Sequence, residues 1–207
     1  MYQYEYKVNI PEGELDGVRV ERFTVNDFSS GMSFIKNPGR GVPAGEYTRL
    51  IEGKHHIWMS DTPAEWWDHW PIIDRLRAPT SKRVLINGLG LGMVIQAALD
   101  HEHVEHVDVV ESDKRVISLV GPYYTIDERV TIHHADAFEQ SKTWPKDTRW
   151  NLAWHDIWAD LCEDNLQEMF KLHRSYGRRV DWQGSWGKED LIRQRIRERR
   201  ERGWDDE

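Results

Sequence analysis

The sequence predicts an α/β fold: a Rossmann-like, mostly parallel sheet with covering helices, shortened at its C-terminal strands and preceded by a small N-terminal β-hairpin region. Three observations carry this expectation. From Lys82 onward, short apolar runs alternate with helical patterns, as a parallel sheet and its crossover helices require. The run ending at Asn87 enters a glycine-rich turn that leads into a helix. The segment before it shows strand-like alternation instead.

In chain order, Val18, Val20, Phe23 and Val25 alternate imperfectly around Arg19, Glu21 and Arg22, the pattern of a half-buried strand. The loop KNPGRGVPAG follows, and its Pro38–Gly45 part reads either as a plain turn or as a lid over a substrate. EYTRLIEGKHHIWMSD reads as two short strands about the Glu52-Gly53 turn. Thr62 can cap a helix with Pro63 at its first position and Glu65 completing a capping box, and that helix is expected to run to about Arg77, before Pro79. Strands are then expected at Arg83–Asn87, His106–Glu111, Val130–His134, Trp150–Asp156 and Arg179–Gln183. Helices are expected at Met93–Leu99, from Asp113 to about Val120, around Asn165–Leu172 and in the C-terminal tail.

The chain has 207 residues, 39% of them hydrophobic, which suffices for one full-sized core with a small appendage. The expected division is a β-rich region with a lead-in helix over 1–78 and a Rossmann-like domain over 79–207. No run approaches the roughly 18 apolar residues of a membrane span, and MYQYEYKVNIPEGELDG lacks the layout of a signal peptide. The single cysteine, Cys162, excludes an internal disulfide and suits a reducing, cytoplasmic setting; it is expected to be a buried helix residue. A net charge of −8 disfavours nucleic acid as a partner. The one dense basic run, LIRQRIRERRERGW, interleaves arginines with Glu198 and Glu201 and reads as a solvated, salt-bridged helix. The 11 tryptophans are scattered along the chain and read as packing residues rather than a base-stacking platform.

The chemistry is concentrated in VLINGLGLGM. Gly88, Gly90 and Gly92 supply the positive φ and the bare backbone that let a ligand approach, and the following helix presents unpaired N–H groups. About twenty residues on, VDVVES places Glu111 at the end of the next strand, where a carboxylate accepts from ribose hydroxyls. The spacing is G-x-G-x-G, and Met93 stands where the dinucleotide pattern G-x-G-x-x-G has its last glycine. Histidine neighbours His55–His56 and His133–His134 point to opposite strand faces and cannot chelate one metal. His101, His103 and His106 lack a partner at ligand spacing, so no metal is expected.

NGLGLGM, VDVVESDKRVISLVGPYY, ERVTIHHADAFE and NLAWHDIW resemble successive motifs of class I S-adenosylmethionine-dependent methyltransferases, in the spermidine synthase-like branch. IEGKHHIWMSDTPAEWWDH resembles the hairpin and helix that precede the core there, so the likeness covers about 45–183. The chain is also similar to methyltransferase-like proteins of actinobacterial phages. The resemblance implies S-adenosylmethionine as cofactor, bound by Asn87, Gly88, Gly90 and Gly92, by Glu111 with Ser112, and by Asp136 with Ala137. It implies Asp156, at the end of the fourth strand, as the catalytic base. Five strands stand where the complete core has seven. Two departures matter: the aspartate that spermidine synthases carry in the glycine loop is Leu91 here, and the turn after the fourth-strand aspartate is Ile157-Trp158-Ala159-Asp160. A leucine cannot neutralise an ammonium group, so methyl transfer to a small-molecule acceptor is expected over aminopropyl transfer. HDIW also replaces the DPPY-like motif of nucleic-acid amino-methylating enzymes. A non-catalytic cofactor- or partner-binding protein is the other reading, and a homodimer is compatible with both.

Overall fold

Asp16 and Gly17 both have positive φ, 46° and 79°, the conformation that a two-residue hairpin turn needs to match the twist of its strands. They join β1 (Gly13–Leu15) to β2 (Val18–Val25). The structure is a computed structural model and describes residues 7–202. Beyond α1 (Asp27–Lys36), β3 (Gly45–Glu52) and β4 (His56–Ser60) form the two expected strands around Glu52-Gly53. The N-terminal hairpin region is thus a four-stranded antiparallel sheet of order β1-β2-β3-β4. Helix α1 was not expected from the sequence. The Asn26 side chain caps it by accepting from the Ser29 N–H at 2.8 Å. None of its residues is buried, so no apolar stripe announces it.

The single helix expected from Pro63 to Arg77 is two: α2 (Pro63–Asp68) and α3 (Trp70–Leu76), with His69 between them. Pro71 has no N–H and sits in the first turn of the second helix, where that donor is not needed. The capping box does not form either. The Thr62 side chain makes no cap bond. Glu65 reaches past it, and its Oε1 accepts from the Ser60 N–H at 3.0 Å.

From there strand and helix alternate: β5 (Arg83–Asn87), α4 (Met93–Leu99), β6 (His106–Glu111), α5 (Lys114–Tyr124), β7 (Val130–His134), α6 (Ala137–Thr143), β8 (Trp150–His155), α7 (Glu163–Tyr176), β9 (Val180–Ser185) and α8 (Lys188–Arg202). The second sheet has the order β7-β6-β5-β8-β9, with each neighbouring pair parallel. That is the doubly wound order, with its switch point at β5 and β8. The fold class is therefore the expected one, and no strand follows β9 among the described residues. No helix there is long and apolar enough to cross a membrane.

Each central strand is apolar on both faces, as a sheet covered on both sides must be. Val84 and Ile86 of β5 join Val107, Val109 and Trp154 in a core that also takes in Val18, Val20 and Leu50 of the antiparallel sheet. Leu85, Val110 and Ala153 face the other way, onto Leu166, Met169, Leu172 and Tyr176 of α7. The antiparallel sheet thus shares its apolar interior with the parallel one, which sets β4 and α2 beside the strand ends of the second sheet.

Cys162 is exposed rather than buried, and it is the N-cap of α7 instead of an internal helix residue. Its N–H donates to Asn165 Oδ1 at 2.7 Å, one half of a capping box at the start of the helix. In α8, Arg193 pairs with Asp190 at 2.9 Å and Leu191 is buried. The tryptophans Trp150 and Trp154 are fully buried core residues.

Candidate functional site

Strand β5 ends at Asn87 and the chain turns sharply into α4. Gly88 has φ +100°, and a Cβ there would lie 1.9 Å from the Asp156 carbonyl oxygen. The turn and the end of β8 therefore approach backbone to backbone, which only glycine permits. The ladder continues through this point: Gly88 N donates to Val110 O and Asp156 N to Asn87 O, both at 2.8 Å. Gly92, the N-cap of α4 at φ +77°, would press a Cβ into the Tyr124 ring at 2.1 Å. The Tyr124 hydroxyl in turn donates to Leu91 O at 2.9 Å and clamps the turn from α5.

These ends of β5, β6 and β8 border a cavity of about 320 Å³, within the usual size range of ligand sites. Gly88, Gly90, Gly92, Glu111, Ser112, Asp136, Ala137 and Asp156 all line it. Of the residues expected from the sequence, Asn87 alone does not. Its side chain is fully buried, and its Nδ2 lies 2.7 Å from His155 Nδ1, so it braces β8 against β5 from within. Leu91 is buried in the core and likewise presents nothing to the cavity.

Each carboxylate is held differently. Glu111 Oε2 accepts from Leu89 N at 2.9 Å and Oε1 from Asp113 N at 2.8 Å, which ties the glycine turn to the end of β6. Asp136 is the N-cap of α6; its Oδ1 accepts from the N–H groups of Phe138 at 2.9 Å and Glu139 at 3.0 Å. Asp113 is bound by Arg115, whose guanidinium holds that carboxyl below its usual range. Asp156 has no such partner. Its side chain keeps 25% exposure, into the cavity, while protein surrounds it. Burial first, then the charges of Glu65, Asp68 and Glu111, push its pKa up to about 8. Burial likewise raises Glu65 to about 7, against the hydrogen bonds from Ser60.

The rest of the cavity wall includes two residues that were not singled out in the sequence as lining it, Glu65 and His69. Beside Glu65 on α2 and His69 at its end stand Trp58, Trp154, Trp158, Trp186 and Met59, whose Sδ accepts from Leu91 N of the glycine turn at 3.0 Å. Glu65 and His69 are four residues apart, the spacing that puts two side chains on one helix face. That spacing was the available signal, and it was obscured by reading Glu65 only as a cap. His69 is 3% exposed, and burial lowers its pKa to about 4, so the imidazole is neutral. Among the described residues that line the cavity there is neither Lys nor Arg. The other histidines lie elsewhere: His133 Nε2 and His106 Nε2 both meet Asp108 Oδ1, at 2.9 and 3.2 Å. Among the described residues no three His, Cys, Asp or Glu side chains are grouped to hold a metal ion.

No protein-family profile matches the chain. A polyamine aminopropyltransferase of Agathobacter rectalis is 30% identical over 101 residues, which is 44% of this chain and 34% of that protein. The chain thus matches about a third of that relative's length. Among solved structures, spermidine synthase from Thermotoga maritima is similar with a TM-score of 0.43 and 21% identity, over 79% of this chain and 52% of that one. A protein from Staphylococcus aureus assigned as a caffeoyl-CoA O-methyltransferase is similar with a TM-score of 0.42 and 18% identity, over 53% of this chain and 50% of that one.

Proposed function

We propose that the protein is an S-adenosylmethionine-dependent methyltransferase acting on a small molecule. The observation that carries this reading is one cavity at the strand ends that joins a cradle to a basic carboxylate. Gly88, Gly90 and Gly92 line it with bare backbone, and the Asp156 carboxyl lines the same cavity. The donor set fits the cofactor. Glu111 sits where ribose hydroxyls are received in open α/β sheets. Asp136, just beyond the end of the next strand, would accept from an exocyclic amine on this reading. The acidic lining, free of Lys and Arg, suits a sulfonium cation better than a pyrophosphate.

S-Adenosylmethionine supplies an electrophilic methyl group when bound. The protein's own part is then to orient the acceptor, exclude water with the tryptophan wall, and receive the acceptor's proton on Asp156. A carboxyl held near pKa 8 is a far better proton acceptor than an ordinary aspartate. An amine acceptor suits the carboxylates of this wall. The second reading is aminopropyl transfer, favoured by the matched aminopropyltransferase segment and disfavoured by Leu91, which brings no carboxylate to the cradle.

Calorimetric titration with S-adenosylmethionine, decarboxylated S-adenosylmethionine and NAD tests the assignment, together with transfer of label from each sulfonium to small-molecule acceptors. Binding of S-adenosylmethionine with methyl transfer is expected. Glu111→Ala, expected to remain folded, is expected to weaken that binding at least about tenfold, since each hydrogen bond to a charged group is worth roughly 1.5–3 kcal/mol. Preference for the decarboxylated form selects the second reading, and binding of NAD alone ends both.

A further inference from the structure

His69 is placed oddly for a residue that only fills space. It ends α2 and starts α3, with its backbone carbonyl accepting from Ile72 and Ile73, both at 3.1 Å. Its ring stands edge-on to Trp154, centroids 6.0 Å apart, and borders the cavity. Its Nδ1 is buried and has no hydrogen-bond partner. A buried polar atom left unpaired is costly, and a leucine would pack against Trp154 without that cost. The other ring nitrogen, Nε2, lies 3.9 Å from Asp156 Oδ2.

The orphan decides the tautomer. A buried N–H without an acceptor is rarer and worse than a bare lone pair, so the proton belongs on Nε2 and points at Asp156. The gap is longer than a hydrogen bond, and contacts of this kind commonly tighten only when a site is filled. The other charged groups that act on Asp156 are Glu65 and Asp68 on α2 and Glu111 on β6, all acidic.

We propose that His69 is a positioning residue for Asp156: its neutral imidazole donates Nε2–H to Oδ2 and aims the carboxylate at the acceptor's proton without neutralising it. This role rests on the methyltransferase reading, whereas the His69–Asp156 pairing does not. A cationic partner at the same place would orient the carboxylate equally well and remove its basicity. A neutral donor orients it and takes away only part of the basicity.

The test is a ¹³C-carboxyl NMR titration of Asp156 in the full-length protein, the signal being assigned by its loss in Asp156→Asn. Wild type, His69→Gln and His69→Leu are compared with and without S-adenosylhomocysteine, and the pH profile of single-turnover methyl transfer is measured on each. The glutamine amide nitrogen can take the place of Nε2–H, and leucine cannot. His69→Leu is expected to raise the Asp156 midpoint by about one unit, a tenfold change in proton affinity, and to move the rising limb of the rate profile with it. His69→Gln is expected to stay within about a third of a unit of wild type, and cofactor affinity within about twofold in both. An unchanged Asp156 midpoint in a folded His69→Leu protein overturns the pairing. A moved midpoint in a protein that transfers no methyl group keeps the pairing and overturns the methyltransferase reading instead.

Discussion

Asp156 lies at the C-terminal end of β8, where its backbone N–H continues the ladder to Asn87 and its side chain turns into the cavity. Burial, together with the nearby acidic groups, makes ionising it cost more in the folded protein than in water, and among the described residues no cation offsets this. Asp156→Asn keeps the shape and removes the ionisation. The expected outcome is a single-turnover rate lower by roughly a hundredfold, the usual contribution of a positioned base, with cofactor affinity within a few-fold of wild type. A variant that loses affinity while keeping its rate once saturated would assign Asp156 to holding the cofactor instead. Residue types at strand ends were legible because the strands themselves were: Glu111, Asp136 and Asp156 each stand at or just after the end of an expected strand. Asn87 is the one of the expected residues that does not line the cavity, since a position at a strand end does not say which face its side chain takes. It points to His155, away from the cavity.

At the level of elements, the parallel sheet was readable from its period and spacing, since strands buried on both faces are written as unbroken apolar runs. The features that were missed depend on single residues. Helix α1 has no buried face; its Phe28 and Ile35 are 78% and 73% exposed, so periodicity held no signal for it. The break at His69 coincides with Pro71, which has no N–H to continue the helix. The β1–β2 hairpin depends on Asp16-Gly17, a short turn signal between weak strands. The glycine turn is the element on which the site depends, and it can be tested by adding one methyl group. Gly88→Ala combines a φ of +100° with a Cβ 1.9 Å from a backbone oxygen that cannot move aside without disturbing β8. A loss of about 1–3 kcal/mol is expected from the backbone conformation alone, more from the clash, and weaker cofactor binding with it. Gly31→Ala in α1 is the contrast. Nothing lies within 4 Å of its Cβ position, and a neutral or stabilising change of up to about 1 kcal/mol is expected. Thermal melts of the two variants compare the positions directly.

For the molecule as a whole, the acidic cavity couples stability to pH. Asp156, at about 8, and Glu65, at about 7, have folded pKa values above their ordinary ones, so above about pH 4 the folded protein holds protons that the unfolded chain has released. Stability from these groups therefore falls as pH rises, until each folded pKa is passed. The buried histidines work in the opposite sense. His69 and His173, each lowered to about 4, and His155, lowered to about 3, stay neutral while their unfolded counterparts take up protons, so their burial costs stability below about pH 6.5. Between pH 6.5 and 8 the histidine contribution is spent and the carboxylate contribution remains, so the ligand-free protein is expected to lose thermal stability across that window. Asp156→Asn is expected to flatten the fall. A sulfonium ligand would favour the ionised carboxylates and so bind more tightly at the upper end of the window than at the lower. At pH 8, S-adenosylmethionine at about one hundred times its Kd is expected to add about 2.7 kcal/mol, which for a chain of this size is a rise of roughly 5–10 °C in Tm. At a fixed cofactor concentration the rise should be smaller at pH 6. Melts at both pH values, with and without cofactor, check the sign. A larger rise at pH 6 would mean that the carboxylates of the wall do not sense the ligand's charge, and that the cofactor lies farther from Asp156 and Glu65 than the cavity allows.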